Sequence, residues 1–191
     1  MNRRIELVVL TGLSGAGRST AAHALEDIGF MVVDNIPPQL ISETVRLVAG
    51  REEISRLAVV ADVRGGVLFD HLQSAIEEVR PAVDRLTVLF LEATQSTLVR
   101  RFESSRRPHP MQDGRTLLAA IQEEEALLRG IRETADLVID TTERNVHELR
   151  RAIESAFELA PAKLHVTLTS FGFKYGLPAD ADMVADVRFL P

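Results

Sequence analysis

Residues 12–19 read GLSGAGRS, directly after the largely apolar run at residues 5–10. The spacing fits the phosphate-binding loop G-x-x-x-x-G-K-[ST] at every position except one, where Arg18 stands in place of lysine. Gly12, Gly15 and Gly17 allow backbone N–H groups to converge on a phosphate where a Cβ would intrude. A helix opening at Arg18 would add the positive end of its dipole. Arg18 would neutralise charge on the β- and γ-phosphates, and the Ser19 hydroxyl can ligate Mg²⁺. The candidate binding set is therefore Gly12, Leu13, Ser14, Gly15, Ala16, Gly17, Arg18, Ser19 and Thr20.

Other candidates stand where strands are predicted to end, the side on which open α/β sheets hold their ligands. The run LAVVA closes on Asp62. Asp62 is read as a carboxylate holding Mg²⁺ together with Ser19, or as a turn cap. Arg64, Gly65 and Gly66 come next, as phosphate or base contacts or as a plain turn. Asp34 can orient an acceptor hydroxyl or cap a helix, and Glu92 is similarly ambiguous. Arg100, Arg101, Arg106 and Arg107 form the densest basic tract. As a lid, Arg106 and Arg107 would close over a γ-phosphate, since the guanidinium fork is bidentate toward phosphate. The other reading is a solvated helix face running into a Pro-bounded loop. His109 lies between two prolines and reads as structural, and the Glu123-Glu124-Glu125 run reads as a solvated face.

Positioning these residues requires alternating strands and helices. Predicted strands are 6–11, 30–34, 55–62, 86–92 and 137–140, mostly continuous apolar runs suited to a sheet covered on both faces. Predicted helices are 18–28, 38–49, 68–79, 96–105, 115–134 and 146–158. The last opens with Asn145 and Glu148 in capping-box spacing. The pattern is that of a three-layer α/β/α sandwich with a mainly parallel five-stranded sheet. It changes after Pro161, where a strand at 164–170 alternates apolar and polar residues. Residues 1–160 are expected to form a phosphate-loop nucleotide-binding domain, and 161–191 the start of a truncated C-terminal domain.

The 191 residues include no cysteine, which excludes disulfides and cysteine-ligated zinc. No apolar run approaches a membrane span, and residues 1–4 lead into a strand and not a signal peptide, so a cytoplasmic location without membrane attachment is expected. A net charge of −6 argues against a globally basic nucleic-acid binder. Lys163 and Lys174 are the only lysines, which places Arg18 within a general preference for arginine.

Taken in order, GLSGAGRSTAAHALEDIGFMVVDNIP, VVADVRGG, LVRRFESSRRPHP, ADLVIDTT and SFGFKYGLPADADMVADVRFLP resemble the RapZ/YvcJ family of bacterial nucleotide-binding proteins. The resemblance covers nearly the whole chain. It implies a P-loop NTPase fold that binds ATP and GTP with weak hydrolysis of both, residues 12–19 being the ATP loop. Asp62, Val63, Arg64 and Gly65 match a segment assigned to GTP, and adjacent strand ends would bring both segments to one pocket. The family implies an RNA-binding adaptor that presents a small RNA to an RNase, largely through the C-terminal domain. A homo-oligomer is compatible with the chain.

Three functions are expected as alternatives. The first is a nucleotide-binding regulator with slow Mg²⁺-dependent ATPase or GTPase activity carried by Arg18, Asp62, Arg106 and Arg107. The second is a small-molecule kinase in which Asp34 orients the acceptor. The third is an RNA-binding adaptor with a vestigial nucleotide site. A guanine-reading N-K-x-D motif is missing, so strict GTPase behaviour is not expected.

Overall fold

The computed structural model describes residues 5–49, 51, 53–61, 67–105, 107–157, 171–172 and 183–186. The chain divides into two compact units, Met1–Leu159 and Ala160–Pro191. In the second unit the predicted strand at 164–170 lies outside the described residues.

The first unit is built on strands β1 (Glu6–Gly12), β2 (Met31–Ile36), β3 (Arg56–Ala61), β4 (Arg85–Glu92) and β5 (Leu137–Asp140). They form one sheet in the order β2-β3-β1-β4-β5, and every pairing is parallel. Helices α1 (Arg18–Asp27), α2 (Ile41–Ala49), α3 (Val67–Val79), α4 (Gln95–Ser105), α5 (Leu117–Thr134) and α6 (Val146–Phe157) connect and cover it. This is the expected three-layer architecture. Parallel strands need crossover helices, which bury both faces, so Leu7, Val8, Val9 and Leu10 of the central β1 are all fully buried.

Most boundaries differ from the sequence reading by one to three residues, as at α5, which starts at Leu117 and not at residue 115. β2 runs on past Asp34 to Ile36 through a register irregularity between Val33 and Ile36, where Asn35 takes φ 58°. The predicted helix at 38–49 begins as a 3₁₀ turn, Pro38–Leu40, before α2. The capping box forms as expected: Asn145 N–H donates to Glu148 Oε2 at 2.8 Å, and Glu148 N–H to Asn145 Oδ1 at 3.0 Å.

At the amino-terminal edge of the sheet, Arg56 ties four elements together. Its Nε donates to Glu6 at 2.8 Å, its Nη1 to the Ile28 carbonyl at 2.8 Å and its Nη2 to the Phe157 carbonyl at 2.6 Å. Its guanidinium also stacks 3.9 Å from the Phe30 ring centroid, a desolvated cation–π contact. This edge secures the scaffold, and the opposite edge carries the loop. No helix among the described residues is long and apolar enough to cross a membrane.

Candidate functional site

β1 delivers the loop at the carboxyl edge of the sheet, between β3 and β4. Gly12, the last residue of β1, has φ 140°, and a Cβ there would sit 2.2 Å from the Leu91 carbonyl oxygen. The absent side chain lets β1 and β4 close on each other, and Leu13 N–H then donates to that same carbonyl at 3.0 Å. Ala16 N–H donates to the Leu13 carbonyl at 3.0 Å, curling the loop back on itself. Gly17 ends the curl at φ 101° and serves as the N-cap of α1 without a side-chain cap bond.

The far side of this curl is held by buried polar groups. Ser14 donates twice to Glu124 on α5, from N–H to Oε2 at 2.8 Å and from Oγ to Oε1 at 2.7 Å. His109 Nε2 lies 3.2 Å from the same Oε2. Ser14, Glu124 and His109 are each at most 5% exposed, so the carboxylate is answered by hydrogen bonds and not by water. This corrects the reading of residues 123–125 as a solvated face. Glu124 lies on the buried stripe of Ala120, Ile121, Leu128 and Ile131, while exposed Arg115 pairs with Glu123. His109, read from sequence as structural, is buried with its Nε2 against Glu124.

Arg101 of α4 holds the next stretch. Its Nη1 donates to the Gly15 carbonyl and to Thr141 Oγ1, each at 3.0 Å, and its Nη2 to the Thr141 carbonyl at 2.6 Å. Burial first, then neighbouring Arg100, lowers the Arg101 pKa from its ordinary value, while Asp140 raises it. Arginine stays protonated regardless, so the cost of burial is met by these acceptors. The Thr141 hydroxyl lies 3.0 Å from the carbonyls of both Ala16 and Glu92, binding the loop to β4 and β5. Arg101, read from sequence as part of a basic lid tract, is thus a brace behind the loop.

The near side of the loop is open. Ala21 N–H closes the first turn of α1 on the Gly17 carbonyl at 3.0 Å. The N–H groups of Arg18, Ser19 and Thr20 precede it and have no i−4 partner within the helix. The first turn carries no acidic residue. Ser19 is exposed, Arg18 and Thr20 are half-exposed, and none of their side chains has a partner among the described residues. Fixed N–H donors, a helix dipole and a guanidinium without a partner among the described residues are the chemistry of a candidate anion site.

The remaining sequence candidates separate. Asp62, Val63, Arg64, Gly65 and Arg106 lie outside the described residues. β3 reaches Ala61 alongside β1, with Val60 opposite Leu10. Arg107 is exposed. Asp34 is exposed on edge strand β2, with β3 between it and the loop. Glu92 is engaged by Arg132, whose Nη2 donates to it at 2.9 Å. A cavity of about 470 Å³ opens at the ends of β4 and β5, lined by Phe90, Glu92, Arg129, Arg132 and Asp140 among others. Of the loop residues described, only Leu13 lines it, so the cavity lies beside the candidate anion site and not in it. Among the described residues, no cluster of three His, Asp or Glu side chains is placed to hold a metal.

The chain has relatives in sequence and in fold. Residues 5–160 match the RapZ-like N-terminal domain and residues 164–191 the RapZ C-terminal domain. A "Nucleotide-binding protein" of Clavibacter michiganensis subsp. michiganensis is 54% identical over 189 residues, covering 97% of this chain and 64% of the relative. A protein of the same name from Kocuria rhizophila is 50% identical over 188 residues, covering 97% of this chain and 62% of the relative. The chain thus spans less than two thirds of the length of these relatives. Among solved structures, the shikimate kinase from Acinetobacter baumannii in complex with shikimate aligns with a TM-score of 0.53 at 14% identity, covering 81% of this chain and 93% of that one. The shikimate kinase from Bacteroides thetaiotaomicron gives a TM-score of 0.51 at 14% identity, covering 81% and 99%. At that identity the likeness is one of fold alone, a phosphate-loop kinase fold. Matched along both of its parts, the chain belongs to the RapZ-like family.

Proposed function

We propose that the first unit binds a nucleoside triphosphate, ATP or GTP, in the cradle of residues 12–20, and that its occupancy is a regulatory signal. The observation that carries this reading is the open front of the loop: the leading N–H groups of α1 beside Arg18, on a curl whose other side is already tied down. The name shared by the relatives supports it. Ser19, exposed and without a side-chain partner among the described residues, suits a Mg²⁺ ligand, and Asp62 would be the second. Bound there, Mg²⁺ would offset the charge of the β- and γ-phosphates. Hydrolysis would be slow, with water as acceptor and Arg106 or Arg107 closing over the γ-phosphate. Calorimetric titration with ATP, GTP and non-hydrolysable analogues, with and without Mg²⁺, is the test. Binding below millimolar concentration is expected, and its absence for every ligand defeats the reading.

A kinase is the second reading, favoured by the fold shared with shikimate kinases and by Asp34 standing exposed near the end of β2. It requires a metabolite that stimulates nucleotide consumption and is itself phosphorylated; a screen without such a product eliminates it. An RNA- and RNase-linked adaptor role, implied by family resemblance, would use the C-terminal domain with Arg100 and Arg107 as accessory contacts. RNA retention that ignores salt would count against phosphate contacts of this kind.

A further inference from the structure

Glu124 is a buried carboxylate that the proposed nucleotide chemistry does not use. Its donors come from two separate parts of the chain. Ser14 supplies two from within the phosphate loop, at 2.8 and 2.7 Å. The third comes from His109, and its tautomer is set by the local bonds. Met111 N–H donates to His109 Nδ1 at 3.2 Å, so Nδ1 is an acceptor and the ring proton sits on Nε2, facing Glu124 Oε2 at 3.2 Å. One carboxylate therefore holds three donors, with all three side chains nearly out of water.

The segment around His109 folds on that residue. His109 N–H donates to Gln112 Oε1 at 3.2 Å, and Gln112 N–H to the His109 carbonyl at 3.0 Å. A second contact runs in parallel: the His109 ring packs 4.9 Å from the Phe102 ring, whose edge would lie 3.1 Å from a Cβ on Gly15. Exposed Arg107 stands two positions before His109 and is carried by the same segment.

We propose that Glu124 is a positioning residue shared by the phosphate loop and residues 107–113, so that a nucleotide on the loop tightens the segment and displacement of the segment weakens nucleotide binding. This rests on the nucleotide reading above. Ser14 lies between Gly12 and Gly15, both at positive φ, so the Glu124 contact fixes a stretch of the loop that glycine leaves free to adopt other conformations. Coupling is reciprocal by linkage: whatever moves His109 is felt at Ser14, and the reverse.

Hydrogen exchange of the full chain, read on peptides covering residues 12–20 and 105–116, tests this with and without a non-hydrolysable ATP analogue. In the unmodified chain the analogue should slow exchange in both peptides. His109→Phe keeps the ring against Phe102 and deletes the bond to Glu124. It should speed exchange in both peptides, abolish analogue protection of 105–116, and weaken affinity about tenfold, the size expected for losing one hydrogen bond to a charged acceptor. Glu124→Gln can accept from Ser14 N–H and His109 on one oxygen while its amide donates to a reversed Ser14 hydroxyl, so affinity should stay within about threefold. The proposal is overturned if His109→Phe loosens 105–116 while leaving the loop peptide and affinity unchanged, or if Glu124→Gln is as loose as His109→Phe. Should His109→Phe not fold, the unmodified chain decides: analogue protection confined to 12–20 overturns the coupling. If no nucleotide binds, the nucleotide reading fails by itself, and the ligand-free exchange of the variants still tests the link between loop and segment.

Discussion

Behind the phosphate loop three polar groups that reach into the protein are answered: Ser14 by Glu124, the Gly15 carbonyl by Arg101, the Ala16 carbonyl by Thr141. In front, Arg18 and Ser19 meet no side-chain partner among the described residues. The difference separates two tasks that one glycine-rich stretch would otherwise have to share. Residues that shape the cradle contact α4, α5 and the β5–α6 turn, and the side chains that would touch a phosphate, Arg18 and Ser19, make no hydrogen bond or ion pair among the described residues. A loop ordered in advance loses little further entropy when a ligand arrives, so its N–H donors can contribute nearly in full. Changes behind the loop should therefore cost folding stability first and affinity second. Changes in front should cost affinity alone.

The largest effect is expected at Gly12. An alanine Cβ there would overlap the Leu91 backbone at 2.2 Å, and at φ 140° no rotation relieves it. Parting β1 from β4 at the middle of the sheet should cost roughly 4 kcal/mol or more. Urea unfolding of Gly12→Ala checks this, and a midpoint equal to that of the unmodified chain would show the two strands are not held as described. Glu124→Ala comes next. It strands Ser14 N–H, Ser14 Oγ and His109 in a site that water barely reaches, for a loss of about 2–4 kcal/mol. Arg101→Ala removes the donor to Gly15 and Thr141 and should cost about 1–3 kcal/mol in the same assay, with weaker nucleotide binding as a consequence. If either chain unfolds normally but no longer binds, the back of the loop belongs to the ligand and the comparison is wrong.

The front of the loop was legible in the sequence, and its back was not. Gly12, Gly15, Gly17, Arg18 and Ser19 announce themselves because the loop motif is a local spacing, and local spacing is what a sequence displays. The strands were equally plain, as unbroken apolar runs demanded by helices on both faces. Glu124 was hidden because its partners lie 110 and 15 positions away. A signal did exist. Successive helical residues diverge by about 100°, so three consecutive glutamates fan across about 200°, and the phase of the neighbouring apolar residues tells which of them turns inward. Glu124 is the one in phase with Ala120, Ile121, Leu128 and Ile131. Arg101 carries the same mark, three and four positions after buried Leu98 and Thr97. Asn35 shows the opposite limit: asparagine is among the side chains that tolerate a positive φ, yet that tolerance alone did not foretell φ 58° or the extension of β2 to Ile36.

The smallest changes in folding are expected at Arg18, where the comparison is sharpest. Arg18→Ala should leave the unfolding free energy from urea titration within about 0.5 kcal/mol, because the side chain has no partner behind the loop among the described residues. The same variant should lose about tenfold in ATP affinity, near 1.4 kcal/mol, once the charge opposite the phosphates is gone. Arg18→Lys separates charge from shape. Both cations neutralise the β- and γ-phosphates, so affinity should stay within about threefold. The two part ways once the nucleotide is bound. A guanidinium is a broad planar fork that grips two oxygens in a fixed geometry, whereas an ammonium is a compact point charge that can track the γ-phosphate as charge redistributes. Lysine should therefore raise single-turnover hydrolysis while barely changing the binding isotherm. An increase in affinity without any gain in rate would mean that Arg18 limits entry to the cradle and not turnover within it.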